Sequence, residues 1–294
     1  MPADARHFPL VSGTRASLSP LRTVWLVLLL FAFPAGALFS APKAELWERW
    51  TAHDESATAS IDHTAWTEFL SVYVDEFPDG VNRVRYAEVT TDDRQRLERY
   101  LAALTGIEIS RYSRTEQRAY WINLYNALTV KVVLDHYPVD SIRDIDISPG
   151  FFSVGPWDKK LINVEGEDLS LNDIEHRILR PIWKDPRIHY AVNCASIGCP
   201  NLMSIAFTAD NTEMLLERGA RDYVNHPRGV EIVNGKPVAS KIYDWFKSDF
   251  GDSDRGVLAH LSGYAEPPLK NKLSEFTRLG GYRYDWALNG AGEN

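Results

Sequence analysis

The chain has 294 residues, 40 acidic and 32 basic, a formal charge of −8, and 45% apolar side chains. An acid excess of this size disfavours nucleic acid and anionic membrane surfaces as partners. Nine Trp, thirteen Tyr and twelve Phe call for a packed interior and exclude a disordered chain.

Arg6, Arg15 and Arg22 face a single acid, Asp4, ahead of the apolar run from Val24 to Phe33. This is the layout of a signal peptide: the core is too short for the roughly twenty residues of a spanning helix, and Ala35-Gly36-Ala37 supplies small residues for cleavage after Ala37. An uncleaved anchor lengthened by Leu38 and Phe39 is the alternative. Either way the bulk of the chain is expected outside the cytoplasm, periplasmic or extracellular, with no stable membrane span in the mature part. Cys194 and Cys199 are the only cysteines, so no thiol ends the signal and a lipoprotein is excluded. The expected division is a signal at 1–37, an extension at 38–59 and one domain at 60–290. The signal carries three Arg against one Asp, so the remainder has a formal charge near −10.

Hydrophobic spacing predicts helices over 44–50, 64–74 and 92–104. A turn at Gly80 leads into a short strand ending near Tyr86. Ser113 caps a longer helix that Pro138 ends. Trp121, Leu124, Tyr125, Leu128 and Val132 form one apolar stripe of it, and Val130, Val133 and Leu134 make the other side apolar too, so it is expected to be buried nearly all round. A loop covers 149–158, and a hairpin forms about Glu165-Gly166. Ser170 with Asp173 makes a capping-box pattern opening a helix that Pro181 ends. Alternation predicts a strand over 187–194. A helix over 210–224 follows, then a hairpin about Asn234-Gly235, the strongest two-residue turn signal, and a helix capped by Ser240. Residues 281–286 read as a final strand. The sum is an α+β fold, helices packed around a small, mostly antiparallel sheet in a single domain.

Several polar residues fall where packing predicts apolar ones. At about 100° per residue, Glu175 points between Leu171, Ile178 and Leu179, while His176 lies toward the polar side with Asp173 and Arg180. A carboxylate facing a core must be paired or protonated, which fits either a structural ion pair with an arginine or a functional acid. Asn123 and Asn126 interrupt the buried helix at i, i+3, and such amides clamp a neighbouring loop or bind a ligand. His189 is expected on the 187–194 strand. Cys199 directly precedes Pro200; with proline opening a helix, the thiol becomes the cap residue, where oriented N–H groups lower its pKa. A bridge from Cys194 to Cys199 is the alternative in an oxidising compartment. No phosphate-binding Gly loop, Gly-x-Ser-x-Gly elbow or His-Glu-x-x-His helix is present, and Glu175, His176 and His189 lack a recognisable metal-ligand spacing.

Tyr120-Trp121-Ile122-Asn123-Leu124-Tyr125-Asn126-Ala127-Leu128, the segments Leu169–Arg180 and Ile188–Pro200, and the later stretches Ser240–Phe250 and Tyr284–Asn289 together resemble the family called domain of unknown function 547. The resemblance spans about residues 60–290. It implies a single domain and no particular reaction, substrate or cofactor. From the residues themselves, the leading expectation is a thiol-dependent hydrolase or acyl transferase acting on a small-molecule or peptide-like ligand. In it Cys199 is the nucleophile, His189 the base, Glu175 its orienter and Asn126 a polar support, with no cofactor and no metal. The competing expectation is a non-enzymatic envelope binding or scaffold domain with a structural disulfide.

Overall fold

The computed structural model describes residues 42–150 and 153–292; the signal-like segment lies outside the described residues. Among these are eight α-helices, α1 (Thr64–Tyr73), α2 (Thr91–Thr105), α3 (Arg114–His136), α4 (Arg180–Trp183), α5 (Thr212–Val224), α6 (Ile242–Trp245), α7 (Asp254–Tyr264) and α8 (Pro267–Leu273). Seven short strands accompany them: β1 (Val74–Glu76), β2 (Asn82–Val84), β3 (Ile162–Val164), β4 (Glu167–Leu169), β5 (Val230–Val233), β6 (Lys236–Ser240) and β7 (Gly281–Arg283). The α+β class and the single domain stand as expected. The strands divide among three small sheets: the antiparallel pairs β1–β2 and β3–β4, and a three-stranded sheet β5–β6–β7 whose last pairing is parallel.

Both predicted hairpin turns form for the same local reason. Glu165-Gly166 (φ 46° and 85°) and Asn234-Gly235 (φ 50° and 72°) each place two residues in the left-handed region, the requirement of a two-residue primed turn.

α3 is the centre of the larger apolar cluster, and every residue from Glu116 to Val130 is buried. The Ser113 hydroxyl accepts from the Glu116 N–H and so caps its start. A helix sunk this deeply must satisfy its polar side chains internally. Gln117 Nε2 donates to the Ala52 and Ile109 carbonyls. Asn123 clamps one backbone residue at both ends: its Nδ2 donates to Phe207 O at 2.7 Å and its Oδ1 accepts from Phe207 N at 3.0 Å. Asn126 does the same for the 191–193 segment, donating to Ala191 O at 2.9 Å and accepting from Asn193 N at 2.8 Å. Both asparagines thus clamp a neighbouring loop.

The predicted strand over 187–194 is overturned. Residues 186–190 form a 3₁₀ turn followed by irregular chain. Its alternation is uninformative because residues 188–193 are all buried, and the polar groups that a neighbouring strand would take are satisfied by local 3₁₀ bonds and by Asn126. The predicted helix over 44–50 is also shorter, a 3₁₀ turn at Glu48–Thr51 preceded by extended chain.

That extended chain explains a second departure. The segment after Ser170 is a π-helix over Asp173–Leu179 leading into α4. Pro181 has no N–H, so neither His176 O (the i−5 partner) nor Arg177 O (the i−4 partner) can be satisfied from it. The chain at 45–47 supplies the missing donors, Glu45 N to His176 O at 2.9 Å and Trp47 N to Arg177 O at 3.0 Å. The wider winding also turns His176, expected on the polar side, into the interior, where it is 4% exposed.

A second apolar cluster joins α5, α7, α8 and the β5–β7 sheet through Tyr190, Tyr223, Tyr243 and Phe250. Tyr190 Oη lies 2.8 Å from His260 Nε2, and in the first cluster His63 Nδ1 lies 2.7 Å from Tyr100 Oη.

Replacing Asn126 by Leu strands the Asn193 N–H and the Ala191 carbonyl in the core. The expected loss is about 2 to 4 kcal/mol in urea-unfolding free energy; a change under about 0.5 kcal/mol shows the clamp is dispensable. Burial lowers His63 and His260 to about 4, so the unfolded chain takes up protons first as pH falls. The stability they contribute is complete above about pH 6.5 and is lost toward pH 4, on the order of 1 to 3 kcal/mol each. Urea midpoints at pH 7.5 and 5.0 should therefore differ, and less so in a His63→Gln/His260→Gln chain; equal pH dependence in both rules the histidines out.

Candidate functional site

Two polar centres meet beneath α3. The first is built on the π-helix. Glu175 is buried, and its Oε1 lies 3.6 Å from His189 Nδ1 and 3.8 Å from His176 Nδ1. The opposite face of the His189 ring is already committed: Nε2 lies 2.8 Å from Asp249 Oδ2, and Phe246 stacks on the ring at 4.4 Å. Arg180 closes the cluster, donating from Nε and Nη2 to the Asp249 carboxylate at 2.6 and 3.1 Å and from Nη1 to the Pro42 carbonyl at 2.8 Å. Burial alone raises the Glu175 pKa; the facing His176 and His189 rings and Arg180 outweigh it and bring it to about 2. Burial likewise opposes the ionisation of Asp249, but His189 and Arg180 hold its carboxyl far below the usual range. Burial brings His176 to about 4, so near neutral pH that ring is uncharged, and Arg180 is the cation paired with Asp249. Among the described residues Glu175 thus faces two imidazoles in place of the arginine weighed for it, and Arg180 pairs with Asp249.

The second centre holds the thiols. Pro200 opens no helix; the chain from 200 to 207 is irregular and the next helix is α5. Cys199 is thus not a helix cap. Its sulfur instead accepts from the Cys194 N–H at 3.0 Å and lies 3.1 Å from Cys194 Sγ. Among the described residues its polar partners are Cys194 and, more distantly, the Val192 carbonyl at 3.8 Å. The structure brings Glu175 to His189 but leaves Cys199 outside that pair. Burial, with Cys199 3% exposed, pushes its thiol well up, and the neighbouring Cys194 sulfur adds to this.

Cys194 differs in both respects. It is half-buried, and three polar groups surround its sulfur: Cys199 Sγ at 3.1 Å, to which its thiol donates, and the Tyr284 and Ser196 hydroxyls at 3.0 and 3.3 Å. The bond with Cys199 lowers its pKa, burial opposes, and the Ser196 and Tyr284 hydroxyls lower it further. Hydrogen bonds to sulfur favour the thiolate over the thiol.

The loop is held from three sides. Asn193 Nδ2 donates to Pro200 O and its Oδ1 accepts from Ala195 N, pinning a left-handed Ala195 (φ 55°). The 285–289 segment runs alongside, joined by Ile197 N to Ala287 O, Gly198 N to Asp285 O and Asn289 N to Ala195 O. A Cβ on Gly198 would stand 2.7 Å from the Asp285 backbone, so only glycine permits this approach. Tyr284 comes from this segment and carries an aromatic wall with it: Trp245 and Trp286 lie 4.9 and 4.7 Å from its ring, and all three are half-buried.

Tyr125, on α3, stands between the two centres. Burial raises its hydroxyl, and so do the Glu175 carboxylate and then both sulfurs. Asn126, beside it in sequence, anchors the thiol loop through Asn193. Asp249 and Tyr284 were missed from sequence. Both sit in stretches that resemble the family, but nothing in local periodicity marks either.

Among the described residues, no cluster of three or more His, Cys, Asp or Glu has an arrangement that could hold a metal ion. No helix of these residues is long and apolar enough to cross a membrane.

No curated protein and no solved structure matches the chain. Residues 109–224 match the model of the family described as "Protein of unknown function, DUF547". That span holds Asn123, Asn126, Glu175, His189, Cys194 and Cys199, while Asp249 and Tyr284 complete the two centres from outside it. The resemblance read from its motifs is thus matched by a DUF547 segment over residues 109–224, the region that contains both cysteines.

Proposed function

We propose that this is an exported, thiol-dependent enzyme of periplasmic or extracellular location, acting on a small-molecule or peptide-like substrate, with Cys194 as the attacking sulfur. The signal-like layout of residues 1–37 supports export. The observation that carries the chemistry is the polar surround of Cys194 Sγ, with the Tyr284 and Ser196 hydroxyls and Cys199 Sγ all within 3.0 to 3.3 Å. A thiolate needs stabilisation and access, and of the two sulfurs only Cys194 has both.

The nucleophile is thus moved from Cys199 to Cys194. His189, with Asp249 on one nitrogen and Glu175 facing the other, positions the carboxylates instead of serving as the base. In hydrolysis or acyl transfer the Cys194 thiolate would add to the carbonyl carbon, and the leaving group would take a proton from the Tyr284 or Ser196 hydroxyl, restored from solvent, since no imidazole is among the close polar partners of either sulfur in the described residues. Half-buried Trp245 and Trp286 offer apolar surface beside the thiol for the substrate.

The test is iodoacetamide labelling of the reduced, folded chain across pH, read by peptide mass spectrometry. Cys194 should label with a midpoint below the ordinary thiol value of about 8.5, and Tyr284→Phe should raise that midpoint by about one unit. Cys199 should label only on unfolding. If Cys194 in the folded chain titrates at or above the ordinary value, or is not labelled, the scaffold reading takes its place.

A further inference from the structure

We propose that Cys194 and Cys199 work as a dithiol pair that exchanges with disulfide substrates, Cys194 attacking and Cys199 resolving. This rests on Cys194 being the reactive sulfur and assigns the substrate class of that site. Three features of the geometry point to it. The two sulfurs are in contact at 3.1 Å, so the resolving step requires no rearrangement of the loop. Their access is unequal, Cys194 half-buried and Cys199 3% exposed, so an incoming disulfide meets only one of them. The Cys194 N–H already points at Cys199 Sγ, 3.0 Å away, where it stabilises the negative charge that sulfur acquires on losing its proton.

The chemistry balances with the substrate as oxidant. Cys194 thiolate attacks one sulfur of R–S–S–R′, the new bond joins Cys194 to RS, and R′S⁻ leaves to take a proton from solvent. Cys199 then gives its proton to water and attacks Cys194 Sγ. The Cys194–Cys199 bond forms, and RS⁻ departs. Two electrons pass from the protein to the substrate, which leaves as two thiols. A dithiol reductant returns the pair to its starting state by the reverse sequence. A resolving thiol must stand in contact with the attacking one, which is the position Cys199 occupies.

The experiment uses the full, fully reduced chain with the aromatic disulfide 5,5′-dithiobis(2-nitrobenzoate) in small excess. Wild type should release two equivalents of the coloured thiolate and lose two hydrogens in mass, the new bridge mapping to Cys194 and Cys199. Cys199→Ala should release one equivalent and keep the adduct on Cys194, with circular dichroism confirming its fold. Excess dithiothreitol should restore both thiols of wild type without unfolding it. A stable adduct on Cys194 of wild type with no bridge overturns the resolving role while leaving Cys194 as the reactive sulfur. No reaction at Cys194 overturns both. A bridge that forms but resists dithiothreitol in the folded chain is structural and also overturns the exchange. Should Cys199→Ala fail to fold, the wild-type stoichiometry and the bridge map decide alone.

Discussion

The two asparagines of α3 are the constraint on which the site depends. A helix buried through fifteen consecutive residues, Glu116 to Val130, leaves no water to satisfy an amide, so each asparagine must take both its partners from protein. Asn126 takes them from 191 and 193, and Asn193 passes the constraint on through its own side chain to Ala195 and Pro200. The thiol loop is therefore suspended from a rigid helix, although no part of the loop is itself regular. A chain of amide bonds in a low-dielectric interior fixes a geometry that a loop on the surface would not keep.

The two polar centres divide the labour by solvation. In the first, the carboxylates face imidazole and guanidinium groups and are mostly out of water. Arg180 alone bonds Asp249 and Pro42 and lies 3.0 Å from His176 Nδ1. Such a cluster gains little net stability over an apolar core, since its Coulomb attraction is offset by desolvation, but losing one member leaves a buried charge unpaired. Its contribution is thus to join α4, the 3₁₀ turn bearing His189 and the segment bearing Asp249 in one arrangement. In the second centre no formal cation touches the sulfur; neutral donors do the work, and part of the site meets solvent.

Much of this was legible in the sequence where the signal is local. Gly and Asn in two-residue turns, the Ser113 cap and the buried stripe of α3 each follow from properties of neighbouring residues, and Glu175 stood out because a carboxylate among Leu171, Ile178 and Leu179 needs a partner. The reading failed where long-range partners decide. Alternation over 187–194 mimicked a strand because the segment is buried on all sides. The rotation of His176 inward depends on Pro181 meeting donors from residues 45–47, more than 120 positions earlier. Which sulfur has a hydroxyl beside it depends on Tyr284, 90 residues from Cys194, and no spacing rule reaches that far.

The segment from Tyr284 to Asn289 has a consequence for the order of events during synthesis. It lies across the cysteine loop and bonds residues 195, 197 and 198, yet it is made some ninety residues after them. Until it arrives, Cys194 lacks the Tyr284 hydroxyl and the loop lacks one wall. A chain still being made therefore presents two sulfurs without this surround first, and acquires the difference between them only when the 284–289 segment has docked.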